Sequence, residues 1–479
     1  MMQLDKLIQG GWSLALANME EEYRKLSDSL GGLVLLPHDP AYDNARQVWN
    51  RHHDRKPALI VRPSGAHDVA AAVRFAKEHG LGISVKSGGH HVSGLGACDG
   101  QLMIDMSLMR GVSVNPETRT AVVHGGARAI DVIRETQLFG LALPTGNIGR
   151  VGVAALALGG GFGFMRRRHG LTCDFLLGAD LVLADGSVRH VDAEHYPDLF
   201  WAIRGGGGNF GVAVTLYFRL VPVGPMVAGI HTIYGAADAK AVLTGCRDYL
   251  AQAGNEVSLN IDVLSIPPAP ELPPPFRGRS IIMVSGMHSG SNLAEALEAV
   301  EPLRHLAKPI MDMTGPMSYQ ALHSILDQMM PEAHMGHVES LYVNAFSDTV
   351  IEKIVELAAE ARPGQGVMLW PLGGKMAENT EDMAFGDRSA GLVVMLEAGW
   401  MDRSDSVHGI QWVQQSRTAL SEFAHNGSTY LNITDLAYDP VGLLKNAYGP
   451  KYDRLKALKK QYDPTNMFRF NANIDPAVD

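Results

Sequence analysis

The stretch Ile83-Ser-Val-Lys-Ser-Gly-Gly-His-His91 decides how the chain is read. Ile83-Ser-Val-Lys86 predicts a short strand. The glycines that follow let backbone N–H groups converge on an anion, because no Cβ blocks close approach. By itself Ser87-Gly-Gly-His90 reads first as a simple tight turn. The pair His90-His91 does not read as a metal site: adjacent strand residues point to opposite faces, and no third ligand is near in sequence. Upstream, Ala58-Leu-Ile-Val61 predicts another strand. Ser64 then caps a helix with Asp68 in its first turn, whose Val69, Ala72, Val73 and Ala76 share one face and which Gly80 ends. The three pieces make a β-α-β unit.

Working outward, strands are expected at 102–106, 121–124 and 181–184, and Asp185-Gly186 turns the last of these back into a strand at 188–191. Glycine is dense in Gly159-Gly-Gly-Phe-Gly163, which follows the apolar stretch 151–158, and in Arg204-Gly-Gly-Gly-Gly-Asn-Phe-Gly211. The first run would let backbone lie against a flat ring system, or would simply be a packing turn. In the second, Gly206-x-Gly208-x-x-Gly211 formally matches a dinucleotide fingerprint. That fingerprint must open a helix, and here the run leads into the β-rich Val212-Ala-Val-Thr-Leu-Tyr-Phe, so a pyridine-nucleotide site is rejected. After Pro222 the texture changes. Strands at 227–233, 257–264, 280–287, 367–372 and 392–399 are grouped with helices at 291–306, 347–361 and 404–424, interrupted by a proline-rich loop at 267–275. This grouping predicts an antiparallel sheet with helices on one face. A helix at 452–462 and a loop close the chain.

The 479 residues imply two domains at roughly 150 residues per domain. The formal charge of −10 argues against a nucleic-acid partner, which needs a basic face. No apolar run is long enough to span a bilayer. The first 26 residues read as an amphipathic helix and not as a secretion signal. Three cysteines, Cys98, Cys173 and Cys246, show no metal spacing and give no disulfide framework, so the expected setting is cytoplasmic. The sequons at Asn426 and Asn432 then carry no meaning. Nothing in the sequence specifies an oligomeric state.

The motifs in their order resemble the berberine bridge enzyme group of FAD-linked oxidases, within the vanillyl-alcohol oxidase fold. The resemblance is carried by Arg62-Pro-Ser, Val85-Lys-Ser-Gly-Gly-His90, Ser93-Gly94, Ile104-Asp105, Gly152-Val-Ala-Ala-Leu-Ala-Leu-Gly-Gly-Gly-Phe-Gly163, His169-Gly-Leu-Thr-Cys-Asp174, Ala184-Asp-Gly186, Phe200-Trp-Ala-Ile-Arg-Gly-Gly-Gly-Gly-Asn-Phe-Gly211 and Tyr462-Asp-Pro-Thr-Asn-Met-Phe-Arg-Phe-Asn471-Ala-Asn-Ile. It implies an α+β fold: a two-subdomain, PCMH-type FAD-binding domain over 1–225, a substrate domain over 226–428 with an antiparallel sheet flanked by helices, and a C-terminal segment over 429–479 returning to the FAD domain. It further implies an oxidase that takes a hydride from a C–N or C–O centre of a small molecule and passes the electrons to O2, giving peroxide. The other readings are oxidation of an aryl or secondary alcohol or a sugar, and a flavoprotein that binds a metabolite without turnover.

By the same resemblance, Ser87, Gly88 and Gly89 form the pyrophosphate loop and His90 bonds the flavin 8α-carbon. Gly94, Val151, Gly152, Gly159, Gly160, Gly161, Gly163, Asp174, Gly207, Asn209, Gly211 and Asn471 complete the cofactor site, and no metal is expected. Many relatives add a cysteine link; aligned on Gly159-Gly-Gly161, that position is Ile148, so a single bond through His90 is expected. Val151 falls at the family's oxygen-gate position, where valine accompanies oxidases and leucine dehydrogenases. Alcohol-oxidising relatives carry a Tyr-x-Asn-Tyr-x-Asp run, which here reads Tyr430-Leu-Asn-Ile433-Thr-Asp435, so the second tyrosine is missing. Their Gln or Glu five residues before a tryptophan becomes Met395, counted from Trp400. Glu397 lies two residues on, along the same strand face; it is a displaced base, a seat for a cationic substrate, or a plain salt-bridged side chain. Tyr430 and Tyr342 are the candidate phenols. The missing tyrosine tilts the expectation toward an amine.

Overall fold

The structure, a computed structural model, describes residues 21–479 except 269–273, 330–332, 379–381, 438 and 478–479. The amphipathic reading of the N-terminus mostly falls outside these residues, though 21–28 are helical, and part of the proline-rich loop also falls outside.

The opening β-α-β unit forms as its pattern demands. Strands β1 (Leu33–Leu35), β2 (Leu59–Arg62), β3 (Ile83–Lys86) and β4 (Leu102–Asp105) make one sheet in the order β1-β2-β4-β3, with β2, β4 and β3 parallel. The helix Ala66–Glu78 buries Val69, Ala72, Val73 and Ala76, as their spacing requires. Its N-cap is Gly65 and not Ser64; the Ser64 amide and hydroxyl instead bond Asp68, at 2.8 Å each.

A second sheet holds β5 (Val112–Asn115), β6 (Thr120–His124), β8 (Leu176–Val182), β9 (Val188–Asp192) and β10 (Val212–Arg219), antiparallel in the order β5-β6-β10-β8-β9. The rejected fingerprint thus leads into β10, a central strand. The short strands β7 (Leu141–Ala142) and β11 (Val221–Pro222) pair with each other. The helix Ala66–Glu78 lies between the two sheets, sharing one core with Val182, Val212 and Val214.

The third sheet is eight-stranded and antiparallel: β12 (Met226–Gly235), β13 (Val257–Ser265), β14 (Ser280–His288), β15 (Met311–Asp312), β17 (Gly336–Val343), β18 (Gln365–Pro371) and β19 (Leu392–Gly399) in the order β15-β12-β14-β13-β18-β19-β17, with β16 (Gly315–Ser318) on β12. Alternate residues point to opposite faces. Leu259, Ile261, Val263, Val367, Leu369, Val394 and Leu396 pack on the helices Ala239–Gln252, Leu293–Val300, Asp348–Glu360 and Ser406–Ala419. The alternate set, including Asp262, Met368, Met395 and Glu397, forms the other face.

The tail returns to the first half of the chain. Leu444, Tyr448, Tyr452, Leu455, Leu458 and Ile474 share a core with β6, β8 and β10. The fully buried Lys459 fastens it, donating to Asp463 Oδ2 at 2.7 Å and to the carbonyls of Asn209 and Phe468 at 2.9 Å each.

Candidate functional site

The loop after β3 and the loop ending at Gly152 meet backbone to backbone. A methyl group on Gly88 would lie 2.3 Å from the Gly152 nitrogen, and one on Gly152 would lie 2.3 Å from Ser87 Oγ. Side chains are excluded on both sides, so main chain alone forms this contact, an arrangement that suits a phosphate loop. Gly89, at φ +70°, uses the left-handed conformation open to glycine. Ser87 Oγ donates to the Gly125 carbonyl at 2.7 Å and ties the loop to the second sheet.

His90 follows, half-buried. Its ring stacks on Trp49 with centroids 5.4 Å apart and an interplanar angle of 14°. Burial, then the charges of Arg150 and Arg128, pull its pKa down to about 4. The imidazole is therefore neutral at ordinary pH, as a nucleophilic nitrogen must be.

The second glycine loop forms the floor. Gly160 and Gly161 take φ values of +114° and +93°, and a methyl on Gly161 would lie 2.3 Å from Thr172 Oγ1. Three polar atoms beside this loop, Thr145 Oγ1, Asn147 Oδ1 and Thr172 Oγ1, are buried with no hydrogen-bond partner among the described residues. Buried polar atoms are normally satisfied, and the polar edge of a flavin ring supplies such partners. Together with the phosphate-lining loops and the neutral His90, these residues fit FAD. Val151 is half-buried beside the same loops.

Other residues expected at the cofactor are committed elsewhere. Both carboxylate oxygens of Asp174 are held by Arg388, at 2.6 and 2.9 Å, and the Leu171 amide donates to one of them. Asn209 donates to the Gly206 and Ala472 carbonyls and accepts from the Ile474 amide. In both cases the side chain braces the surrounding loops. Asn471 braces through its amide nitrogen, to Gly208 and Phe468, while its Oδ1 stays unpartnered among the described residues. Gly94 packs on His53.

Opposite the floor, Tyr342, Met395, Val393 and Tyr430 join Phe162, Phe385, Met376 and Met383 in one apolar cluster, with Met368, Trp370 and Ile433 at its margin. Tyr430 stacks on Phe162 at 4.0 Å and 2°. Its hydroxyl oxygen accepts from the Gly161 amide at 3.1 Å and from Asn432 Nδ2 at 3.0 Å. Tyr342 lies on β17, and burial holds its phenol well above the ordinary range. Glu397, on β19, faces the same side of the sheet, with His334 Nε2 3.2 Å from its carboxylate. The structure thus brings both tyrosines and Glu397 to one side of the glycine loop.

Two features escape a reading of the sequence. His337, on β17, is 3.2 Å from Asp435 and 3.0 Å from Glu339, and Asp435 also accepts from Ser93 in the flavin-side loop. The second feature is Asp262, on β13, which is buried with Oδ1 unpartnered among the described residues. Among the described residues no group of His, Cys, Asp and Glu is placed to hold a metal ion, and no helix is long and apolar enough to cross a membrane.

Residues 57–192 match the FAD-binding domain family, and residues 429–475 match the family described as berberine and berberine like. The chain is 32% identical to (R)-6-hydroxynicotine oxidase of Paenarthrobacter nicotinovorans, over 94% of this chain and 97% of that one. It belongs to the berberine bridge enzyme-like FAD-linked oxidases. The crystal structure of 6-hydroxy-D-nicotine oxidase from Arthrobacter nicotinovorans superposes with a TM-score of 0.83 at 28% identity, covering 94% of this chain and 98% of that one. Glucooligosaccharide oxidase from Acremonium strictum, whose FAD is 6-S-cysteinyl and 8α-N1-histidyl, shares the fold at a TM-score of 0.80 and 24% identity, covering 94% and 98%. This member of the family is an FAD-dependent oxidoreductase, an oxidase of small molecules, and its fold is the mixed helix-and-sheet PCMH type.

Proposed function

We propose that this oxidase carries FAD on His90 alone and oxidises the CH–NH centre of a small, largely apolar amine, with O2 as electron acceptor. The observation that carries the substrate class is the makeup of the pocket wall: aromatic and thioether side chains around Tyr430, with the Glu397 carboxylate at one end. A sugar needs many hydrogen-bonding partners, which this wall does not offer, whereas an amine with an apolar body needs few. Glu397 would accept the ammonium proton, leaving the neutral amine from which hydride can depart. When bound, the flavin supplies the hydride-accepting chemistry. The protein positions the carbon, shields it from water and holds the proton.

Single attachment is supported by the cysteines. Ile148 packs into an apolar cluster. Cys173 approaches the glycine loop, where its amide donates to the Gly160 carbonyl, but its Sγ lies 3.8 Å from Met383 Sδ, and burial pushes its thiol far up. Such a thiol is a poor nucleophile. All three cysteines are free and buried, which supports a reducing, cytoplasmic setting.

The test is a screen of amines, aryl alcohols and sugars for peroxide release, beside the intact mass of denatured wild type and His90→Ala. Amine turnover is expected, with one flavin per wild-type chain and none on the variant. Turnover of alcohols with no amine would overturn the class, and flavin retained by His90→Ala would overturn the linkage. For O2 as acceptor, Val151→Leu should slow reoxidation of the reduced enzyme in air by tenfold or more; an unchanged rate would remove Val151 from that role.

A further inference from the structure

Asp262 is out of place by every ordinary rule of burial. It is 7% exposed, in the middle of β13. Across the sheet its neighbours are Met283 on β14 and Met368 on β18. Asp262 Oδ1 has no hydrogen-bond partner among the described residues, and no ion pair with Asp262 forms there. An unpaired carboxyl between two methionines costs free energy that a leucine or a third methionine would not. A residue kept at such cost is a candidate for binding something that the bare chain does not supply.

The register shows what that is. Asp262 and Glu397 are on the same face of the sheet, two strands apart. β18 runs between them and places Gly366 opposite both Leu264 and Glu397, and Met368 opposite both Asp262 and Met395. At about 4.8 Å between strands and about 6.8 Å per two-residue repeat, the two backbones stand roughly 12 Å apart on a diagonal. Gly366 adds no side chain of its own beside Glu397, and Leu264 Cδ2 packs over it, 2.5 Å from where a Cβ would stand. The carboxyls are too widely set to bond each other directly, yet close enough that Glu397's charge acts on Asp262. Two acids on one face, with apolar side chains around them, suit one positive charge.

We propose that Asp262 and Glu397 together bind the cationic nitrogen of the substrate, one carboxyl on each side, while its apolar body lies along Met368, Trp370 and the Phe162–Tyr430 stack. This rests on the reading of the enzyme as an amine oxidase, and adds to it a second acidic residue and a defined place for the charge. Burial, and after it the charge of Glu397, pushes the Asp262 carboxyl up to about 7, so it is only part ionised around neutrality. His334 Nε2 stands 3.2 Å from Glu397 at the far end. A bound cation draws the second carboxyl into its ionised form, because opposite charges in a partly desolvated site attract more strongly than in water. The aromatic rings of the wall favour the same charge through their faces.

The probe is phenyltrimethylammonium, a permanent cation with no oxidisable N–H, against its neutral isostere tert-butylbenzene. Each is titrated into the flavin-loaded enzyme and followed by the flavin absorbance. Wild type should bind the cation at least tenfold more tightly than the isostere. Asp262→Asn should lose that preference while keeping its affinity for tert-butylbenzene, which also shows that the pocket is intact. Glu397→Gln, a second and independent variant, should weaken the cation alone by a similar factor. Cation binding unchanged in Asp262→Asn would overturn the proposal even if amines are oxidised. Conversely, Asp262-dependent cation binding in an enzyme that turns over only alcohols would keep the seat and remove the amine-oxidase reading.

Discussion

Trp49 lies face to face with His90, and on its other contact it stacks on His334, with centroids 4.6 Å apart and planes 8° apart. The Trp49 amide also donates to the Gly89 carbonyl at 2.9 Å. A single residue therefore braces both the loop that bears His90 and the plane of its ring, and its other neighbour, His334, stands 3.2 Å from Glu397.

Covalent attachment requires the imidazole nitrogen to meet the flavin 8α-carbon in line, and poor positioning is expensive in rate. Trp49→Ala should therefore lower the fraction of acid-stable flavin formed in a fixed time by tenfold or more. Trp49→Phe, which keeps a flat face, should recover most of it. Acid precipitation followed by flavin fluorescence of the pellet measures both. Equal incorporation in all three proteins would show that Trp49 only fills space.

The buried group of His337, Asp435 and Glu339 joins the tail to β17 and to Ser93. Burial alone would lower the His337 pKa, but hydrogen bonds and charge from Asp435 and Glu339 outweigh it and raise it to about 9. Burial alone would raise Asp435; His337 outweighs it and pulls it down to about 2. The His337 contribution to stability is thus fully present below pH about 6.5, the value in the unfolded chain, and is lost as pH rises through about 9. The Asp435 contribution is present above pH about 4 and is lost as pH falls toward 2. Asp435→Asn removes one partner of a buried pair, which costs about 3–5 kcal/mol. Thermal melts from pH 5 to 10 should show wild type losing stability between about pH 6.5 and 9, with Asp435→Asn lower throughout and flatter over that range.

Much of this was legible in the chain. The spacing of Val69, Ala72, Val73 and Ala76 announced a helix, the strand-like run 392–399 is β19, and the helix Tyr452–Tyr462 has the predicted limits. The glycine loops could be read because only glycine tolerates such close backbone approach. The helices Ala129–Gln137, Ala239–Gln252, Tyr319–Met329 and Pro440–Tyr448 and the strand Gly336–Val343 went unread. β17 carries His337, Glu339 and Ser340 among its apolar residues, and its partners lie far along the chain: Ala398, Leu396 and Met395. The site suffers most from this. Asp262 is one acid in an ordinary strand until register sets it beside Met283 and Met368, and His337 meets Asp435 across 98 residues of sequence.

The hydroxyl of Tyr430 yields the last prediction. Its oxygen already accepts two N–H donors, the Gly161 amide and the Asn432 side chain. An oxygen whose lone pairs are so engaged has its own O–H left to give. The ring is clamped on Phe162 and cannot turn away. Burial raises the phenol's pKa even though those two donors oppose the shift, so the proton stays on at working pH. Tyr430 therefore acts here as a fixed hydrogen-bond donor and as a wall, not as a base. For the amine substrate proposed above, its hydroxyl can help to hold the bound molecule in place, an interaction worth about 1 kcal/mol or somewhat more in a desolvated site. Tyr430→Phe keeps the stack and removes only the O–H. It should lower kcat/KM for a good amine by about five- to thirtyfold and leave the pH profile with the same inflections. The pH profile separates the roles: if Tyr430 were the base, the variant would lose the acidic limb, where activity rises as the base deprotonates, and fall by far more than thirtyfold.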